Sequence, residues 1–210
     1  MKLEWKKDEK ALYLPKNRPE LVKVPAFNYF VIEGRGNPNS QAFREDVGAL
    51  YSLAYGVKMS PKAGIAPAGY QEYCVYPLEG LWDISEEAKK DSRISLDKNS
   101  LVYTLSIRQP DFVTEEFAAG IIDRARAKNP GPLFDKARFE SFGEGLCIQM
   151  MHIGSYDDEP ASFARMEEFA ASQGLVRISR RHREIYLSDP GRTAAEKLKT
   201  ILRFQVKAAG

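Results

Sequence analysis

Glu184 and Tyr186 stand two apart in Arg183-Glu184-Ile185-Tyr186-Leu187, a run that reads as a β-strand closed by Ser188-Asp189-Pro190. Alternate side chains of a strand share a face, so Ile185 and Leu187 point one way and Glu184 and Tyr186 the other. The apolar pair suits a core covered by helices, which sets a carboxylate beside a phenol on the opposite face. There the carboxylate could attract a cation, orient a water or act as a general base. A solvated Glu on an open sheet face fits the same pattern.

Aromatic residues supply the second group. Trp82 closes Pro77-Leu78-Glu79-Gly80-Leu81-Trp82, where Gly80 relieves crowding and the indole offers a flat surface for stacking. A core Trp fits these residues as well. Tyr51 and Tyr55, four apart, lie on one helical stripe beside the apolar face. Tyr103 shares a strand face with Leu105 and Ile107. Each could be an ordinary half-buried Tyr, but together with Tyr186 around one carboxylate they suit a cage for a planar apolar molecule. Arg108 and Asp111 flank Gln109-Pro110 and suit a turn or ion pair, although Arg108 could also steady a ligand carbonyl.

The elements that must position these residues follow from pattern. Residues 1–20 are a polar lead-in. Val22 to Glu33 reads as a strand before the turn cluster Gly34-Arg35-Gly36-Asn37-Pro38. Ser40 caps a helix to about Tyr55 with an apolar stripe of Phe43, Val47, Leu50 and Ala54. Gln71 to Ile84 reads as a strand interrupted at Pro77-Leu78-Glu79-Gly80. A polar stretch leads to a strand at Leu101–Arg108, and Thr114 caps a helix to Lys128. Leu146–Ile153, Ser162–Ser172, Arg183–Leu187 and Thr200–Val206 then read as strand, helix, strand and strand. Gly34 to Phe43 and Gly154 to Phe163 are both spans of nine residues, so the second half repeats the order of the first. The predicted fold is α+β, a tandem of two strand-helix-strand-strand repeats. It has pseudo-twofold symmetry, antiparallel sheets with helices on one face and a central ligand cleft. The repeats occupy about 21–110 and about 137–207 of a domain at 21–207, joined by the helix at about 114–128.

Composition limits the function classes. With 43% hydrophobic and 29% charged residues the chain is globular, and a net charge of +2 argues against a nucleic-acid surface. No apolar run is long enough for a membrane span, and Met1 to Lys10 is too polar for a signal peptide. Cys74 and Cys147 are isolated and read as thiols in a reducing, cytoplasmic compartment. His152 and His182 are the only histidines, and neither has a second ligand three or four residues on. Phosphate-loop, nucleophile-elbow and dinucleotide motifs are absent from the sequence. No metal and no cofactor are expected.

Four blocks carry a resemblance: Tyr51-Ser52-Leu53-Ala54-Tyr55, Pro77 to Trp82, Ile107 to Thr114 and Glu184 to Pro190. With the closing Glu196 to Arg203, they make the chain similar to the GyrI-like small-molecule-binding family, in particular to stand-alone members that act as cyclopropanoid cyclopropyl hydrolases. The resemblance implies an aromatic cage with an acidic residue at the Glu184 block against the ligand. It also implies cofactor-independent hydrolysis of activated cyclopropanes in DNA-alkylating natural products, a detoxification of xenobiotics. Glu184 would be catalytic, with Trp82, Tyr51, Tyr55, Tyr103 and Tyr186 binding the ligand, a small aromatic or cationic apolar molecule. No nucleic acid or membrane partner follows, and the sequence assigns no oligomeric state. Drug sequestration without turnover, or a gyrase-inhibitor-like interaction, would suit the same blocks.

Overall fold

Pro25 divides what the sequence presents as one strand. In the computed structural model, which describes residues 2–86 and 98–210, β1 (Glu20–Val24) and β2 (Phe27–Arg35) flank Pro25-Ala26. Proline has no N–H to give to a ladder, so a break there is the cheapest. The break also separates two compact units, Met1–Leu3 with Phe27–Phe142 and Glu4–Ala26 with Gly143–Gly210. Among the described residues no helix is long and apolar enough to cross a membrane.

The lead-in segment folds as two single-turn helices in the second unit, α1 (Trp5–Asp8) and α2 (Lys10–Tyr13). Trp5 and Tyr13 are buried, with ring centroids 5.4 Å apart. Trp5 and the run Ala11-Leu12-Tyr13-Leu14 stand apart among polar residues and give no sustained helical period, so this segment is not recognisable as structured from pattern.

In the first unit, β2 is followed by α3 (Gln41–Lys58), β3 (Leu78–Ile84), β4 (Leu101–Gln109), α4 (Glu115–Lys128) and β5 (Arg138–Phe142). The strands pair antiparallel in the order β3-β4-β2-β5. Ser40 Oγ accepts the Phe43 N–H and Thr114 Oγ1 the Phe117 N–H, the N-caps the sequence predicts. The buried stripe of α3 is Asp46, Ala49, Leu50, Leu53, Ala54 and Val57. Leu50 and Ala54 of the expected stripe belong to it, Phe43 extends it onto Trp82 and Tyr103, and Val47 is only half-buried. The face is turned because it includes a buried Asp, which a reading by hydrophobicity leaves out. Leu78-Glu79-Gly80, expected as an interruption, is the first half of β3. The polar stretch before β4 falls largely on residues 87–97, outside the described residues.

The second unit adds β6 (Gly145–Ile153), α5 (Glu159–Ser172), β7 (Leu175–Arg177), β8 (His182–Tyr186) and β9 (Lys199–Ala208). The order is β1-β6-β9-β8, with β7 also on β9. Each unit thus contains a strand-helix-strand-strand repeat, β2-α3-β3-β4 and β6-α5-β8-β9, in which the last strand lies between the other two. The α+β tandem repeat is the fold of the chain. Under α5, Met166 and Ala170 pack on Ile148, Met150, Leu202 and Phe204. At about 1.5–3 kcal/mol for each large side chain buried, this layer fixes the helix on β6 and β9.

Gly34 is required by close approach. A Cβ there would stand 2.4 Å from the ring of Tyr103, which is held in place by a hydrogen bond to Asp46. Gly34→Ala is expected to lower stability by about 1–3 kcal/mol, the usual scale of overpacking. Urea denaturation measures it. A loss within about 0.5 kcal/mol would show that the Tyr103 ring can yield.

Candidate functional site

The six candidate residues are divided between the two units. In the first, Trp82 and Tyr103 are register partners on β3 and β4, with ring centroids 5.4 Å apart. Phe43 of α3 packs on both, at 5.8 and 5.1 Å. Trp82 is only 5% exposed. The Tyr103 hydroxyl donates to Asp46 Oδ2 at 3.1 Å, and Lys136 Nζ reaches Asp46 Oδ1 at 2.6 Å. Burial first, and then the Asp46 charge, raise the Tyr103 phenol above its ordinary value. Tyr51 is half-buried and Tyr55 is 50% exposed. Arg108 is buried, its guanidinium 3.3 Å from the Phe27 ring centroid and 4.6 Å from that of Tyr76.

In the second unit, Glu184 lies on the face opposite to the one the alternation pattern suggests. Its register partner is Leu202, part of the core under α5, so Glu184 and Tyr186 lie on the helix side of the sheet. Ile185 is buried on the other side, opposite Ile201. That other side is occupied by an ionic cluster. Arg183 Nε and Arg203 Nη1 reach the two oxygens of Glu144, at 2.9 and 3.2 Å. Arg203 Nη2 donates to Gln149 Oε1 and to the Leu12 carbonyl, and Gln149 Nε2 to the Ala11 carbonyl. Burial alone would raise the Glu144 carboxyl, but the two guanidiniums hold it below its ordinary value. On the helix side α5 rests on β6, β7 and β9, and β8 meets the helix at its start.

That start carries Glu159, which pattern reading omits by opening the helix at Ser162. The signal was Pro160, since proline is favoured in the first turn, where N–H groups lack partners. A glycine and two contacts of His152 aim the turn. Gly154, at a φ of 141° that favours glycine, ends β6. His152 Nε2 donates to the Ser155 carbonyl, and its Nδ1 lies 2.9 Å from Ser162 Oγ. Glu159 is 7% exposed and Glu184 9%. The Tyr186 hydroxyl donates to Glu184 Oε2 at 2.8 Å, and His182 Nε2 lies 3.1 Å from Glu184 Oε1. Tyr156 and Tyr186 meet edge-to-face at 6.0 Å.

Burial, the Glu184 charge and a hydrogen bond to Glu184 together push the Glu159 carboxyl up to about 10. The helix N-terminus favours the anion by about 0.3–1 kcal/mol, less than one pKa unit, so burial and the neighbouring charge win. Burial, with Glu184, Glu159 and Asp189, likewise pushes the Tyr156 phenol up to about 12. The arrangement is a protonated carboxyl beside a carboxylate, rimmed by two phenols and an imidazole. It can accept a proton from water at Glu184 or hold a cation there. The Tyr103 and Tyr186 hydroxyls are directed at carboxylates, Asp46 and Glu184. Glu159, His182 and Glu184 each offer a donor atom within 4.8 Å of the others, a spacing that could also hold a metal ion.

The repeat architecture with this cluster defines a ligand-binding α+β domain. Residues 18–207 match the GyrI-like small molecule binding domain, and the chain belongs to that family. It is similar to the crystal structure of a hydrolase from Listeria innocua, at 36% identity and a TM-score of 0.87, over 98% of this chain and all of that one. A second structure of a Listeria innocua hydrolase matches at 38% identity and a TM-score of 0.88, over 99% of this chain and all of the other. The C-terminal domain of EcmrR, 12% identical over 91% of this chain and 98% of its own, shares the fold at a TM-score of 0.52. A comparison with curated protein sequences gives no match.

The raised carboxyl has a consequence for stability. Glu159 keeps its proton in the folded protein up to about 10, whereas an unperturbed Glu carboxyl releases it at 4.5. Across that window the folded state binds more protons than the unfolded state, so stability falls as pH rises. Glu159→Gln removes this dependence. The melting temperature of the variant is therefore expected to gain on that of the wild type from about pH 5 to about pH 9. A constant difference would show that Glu159 is ionised in the folded protein.

Proposed function

We propose that this protein binds a flat aromatic foreign molecule and hydrolyses it, by adding water to an activated cyclopropane of a DNA-alkylating natural product. The observation that carries the reading is the Glu184 carboxylate, buried beside an acid and two phenols and held by Tyr186. Similarity over nearly all of this chain to two crystal structures of Listeria innocua hydrolases supports it. No cofactor, nucleic acid or membrane takes part.

For a cyclopropane conjugated to a dienone, water oxygen attacks the strained ring carbon and a C–O bond forms. The ring C–C bond breaks, and its electron pair passes to the dienone oxygen as the ring becomes an aromatic phenolate. Glu184 takes the proton that the water loses, and the phenolate is protonated afterwards. Aromatisation supplies the driving force, so the protein has mainly to place water and substrate, and placement and base assistance each contribute orders of magnitude. A second reading, sequestration without turnover, is favoured by the Glu184 charge beside the Tyr156–Tyr186 pair, which suits a cation.

Mass spectrometry of a cyclopropane-bearing alkylating agent incubated with the protein tests the reading. The expected product is the ligand plus one water, and Glu184→Gln is expected to slow its formation at least about tenfold. Undiminished hydrolysis by the variant would remove Glu184 from the chemistry. Tight binding with the ligand recovered unchanged would leave sequestration.

A further inference from the structure

A carboxylate offers roughly four acceptor positions, and the surroundings of Glu184 occupy most of them. Tyr186 donates to Oε2 and His182 Nε2 lies against Oε1. Glu159, whose Oε1 is buried without a hydrogen-bond partner, sets a carboxyl oxygen within 4.8 Å of the Glu184 carboxyl, and both residues are buried. Two carboxylates in hydrogen-bond contact repel each other unless a proton lies between them. We propose that Glu159 is a positioning residue of this site: in its acid form it donates a hydrogen bond to Glu184 and leaves that carboxylate one open acceptor position, where the reacting water is held.

The charges acting on Glu159 are those of Glu184 on β8 and Asp157 just before α5, both negative. His182, Tyr156 and Tyr186 face the same pair, while Asp158 on the same turn is exposed. These surroundings keep the proton on Glu159 through neutral pH. Loss of that proton sets two negative charges side by side and turns a donor into an acceptor, so Glu184 is no longer held in one orientation. The role rests on the hydrolase reading, but the shared proton does not.

The test therefore has two readouts. Infrared difference spectra at about pH 8 are expected to show the C=O stretch of one protonated carboxyl, lost in Glu159→Gln. In kinetics, Glu159→Ala is expected to lower kcat about tenfold or more. Glu159→Gln, whose amide still donates, recovers most of that loss. The wild-type rate falls as pH approaches about 10, and the rate of the Gln variant does not. A missing C=O band, a Gln variant no better than the Ala variant, or stoichiometric binding of zinc or manganese lost in Glu159→Gln overturns the proposal. In the last case an ion takes the place of the proton. The band, present and assigned but without turnover, upholds the shared proton and overturns the hydrolase reading instead.

Discussion

Two guanidiniums and one carboxylate buried together decide which way β8 faces. The side chains of Arg183 and Arg203 are 1% and 3% exposed and that of Glu144 10%, and charges so far from water persist only when paired. Removing one partner from such a group typically costs about 3–5 kcal/mol. Because Arg183 must reach Glu144, the alternation of the strand sends His182, Glu184 and Tyr186 to the α5 side. A slip of one residue would exchange the two faces, setting Glu184 on the Glu144 side and Arg183 against the start of α5. The acidic site is thus held in register by a basic cluster on the far side of the same sheet.

The two repeats treat a buried acid in different ways. On α3, Asp46 meets a cation, Lys136 at 2.6 Å, and the hydroxyl of Tyr103. At the start of α5, Glu159 meets a second carboxylate and takes up a proton. One arrangement braces an aromatic layer, and the other creates a proton-bearing group. The scaffold is common to both, and the difference in chemistry comes from the few side chains at the helix start and on the facing strand.

Much of this organisation was legible in the sequence. The caps Ser40 and Thr114 and most strands follow from local signals, and the equal spacing of Gly34 to Phe43 and Gly154 to Phe163 exposes the tandem. What was not legible depends on polar groups in the core. Asp46 turns the stripe of α3, and Arg183 reverses the faces of β8, since an apolar neighbour such as Ile185 is buried on either side. Glu159 was hidden for the same reason, because its burial depends on Glu184, distant in sequence and adjacent only in the fold.

The strand exchange at Pro25 bears on how the chain reaches this state. β1 precedes Phe27–Phe142, the body of the first unit, yet it pairs with β6, and Glu20 meets Gln149 across 129 residues. Contacts of that span form late, because the closure of a long loop must be met before pairing stabilises it. During synthesis β1 and the turns of α1 and α2 emerge before β6 and β9, so Trp5, Tyr13 and a strand edge stay uncovered until those strands have followed. The first unit can assemble in that interval from its own strands. A segment made so far ahead of its partner strands is exposed to aggregation for longer than one paired with its sequence neighbours.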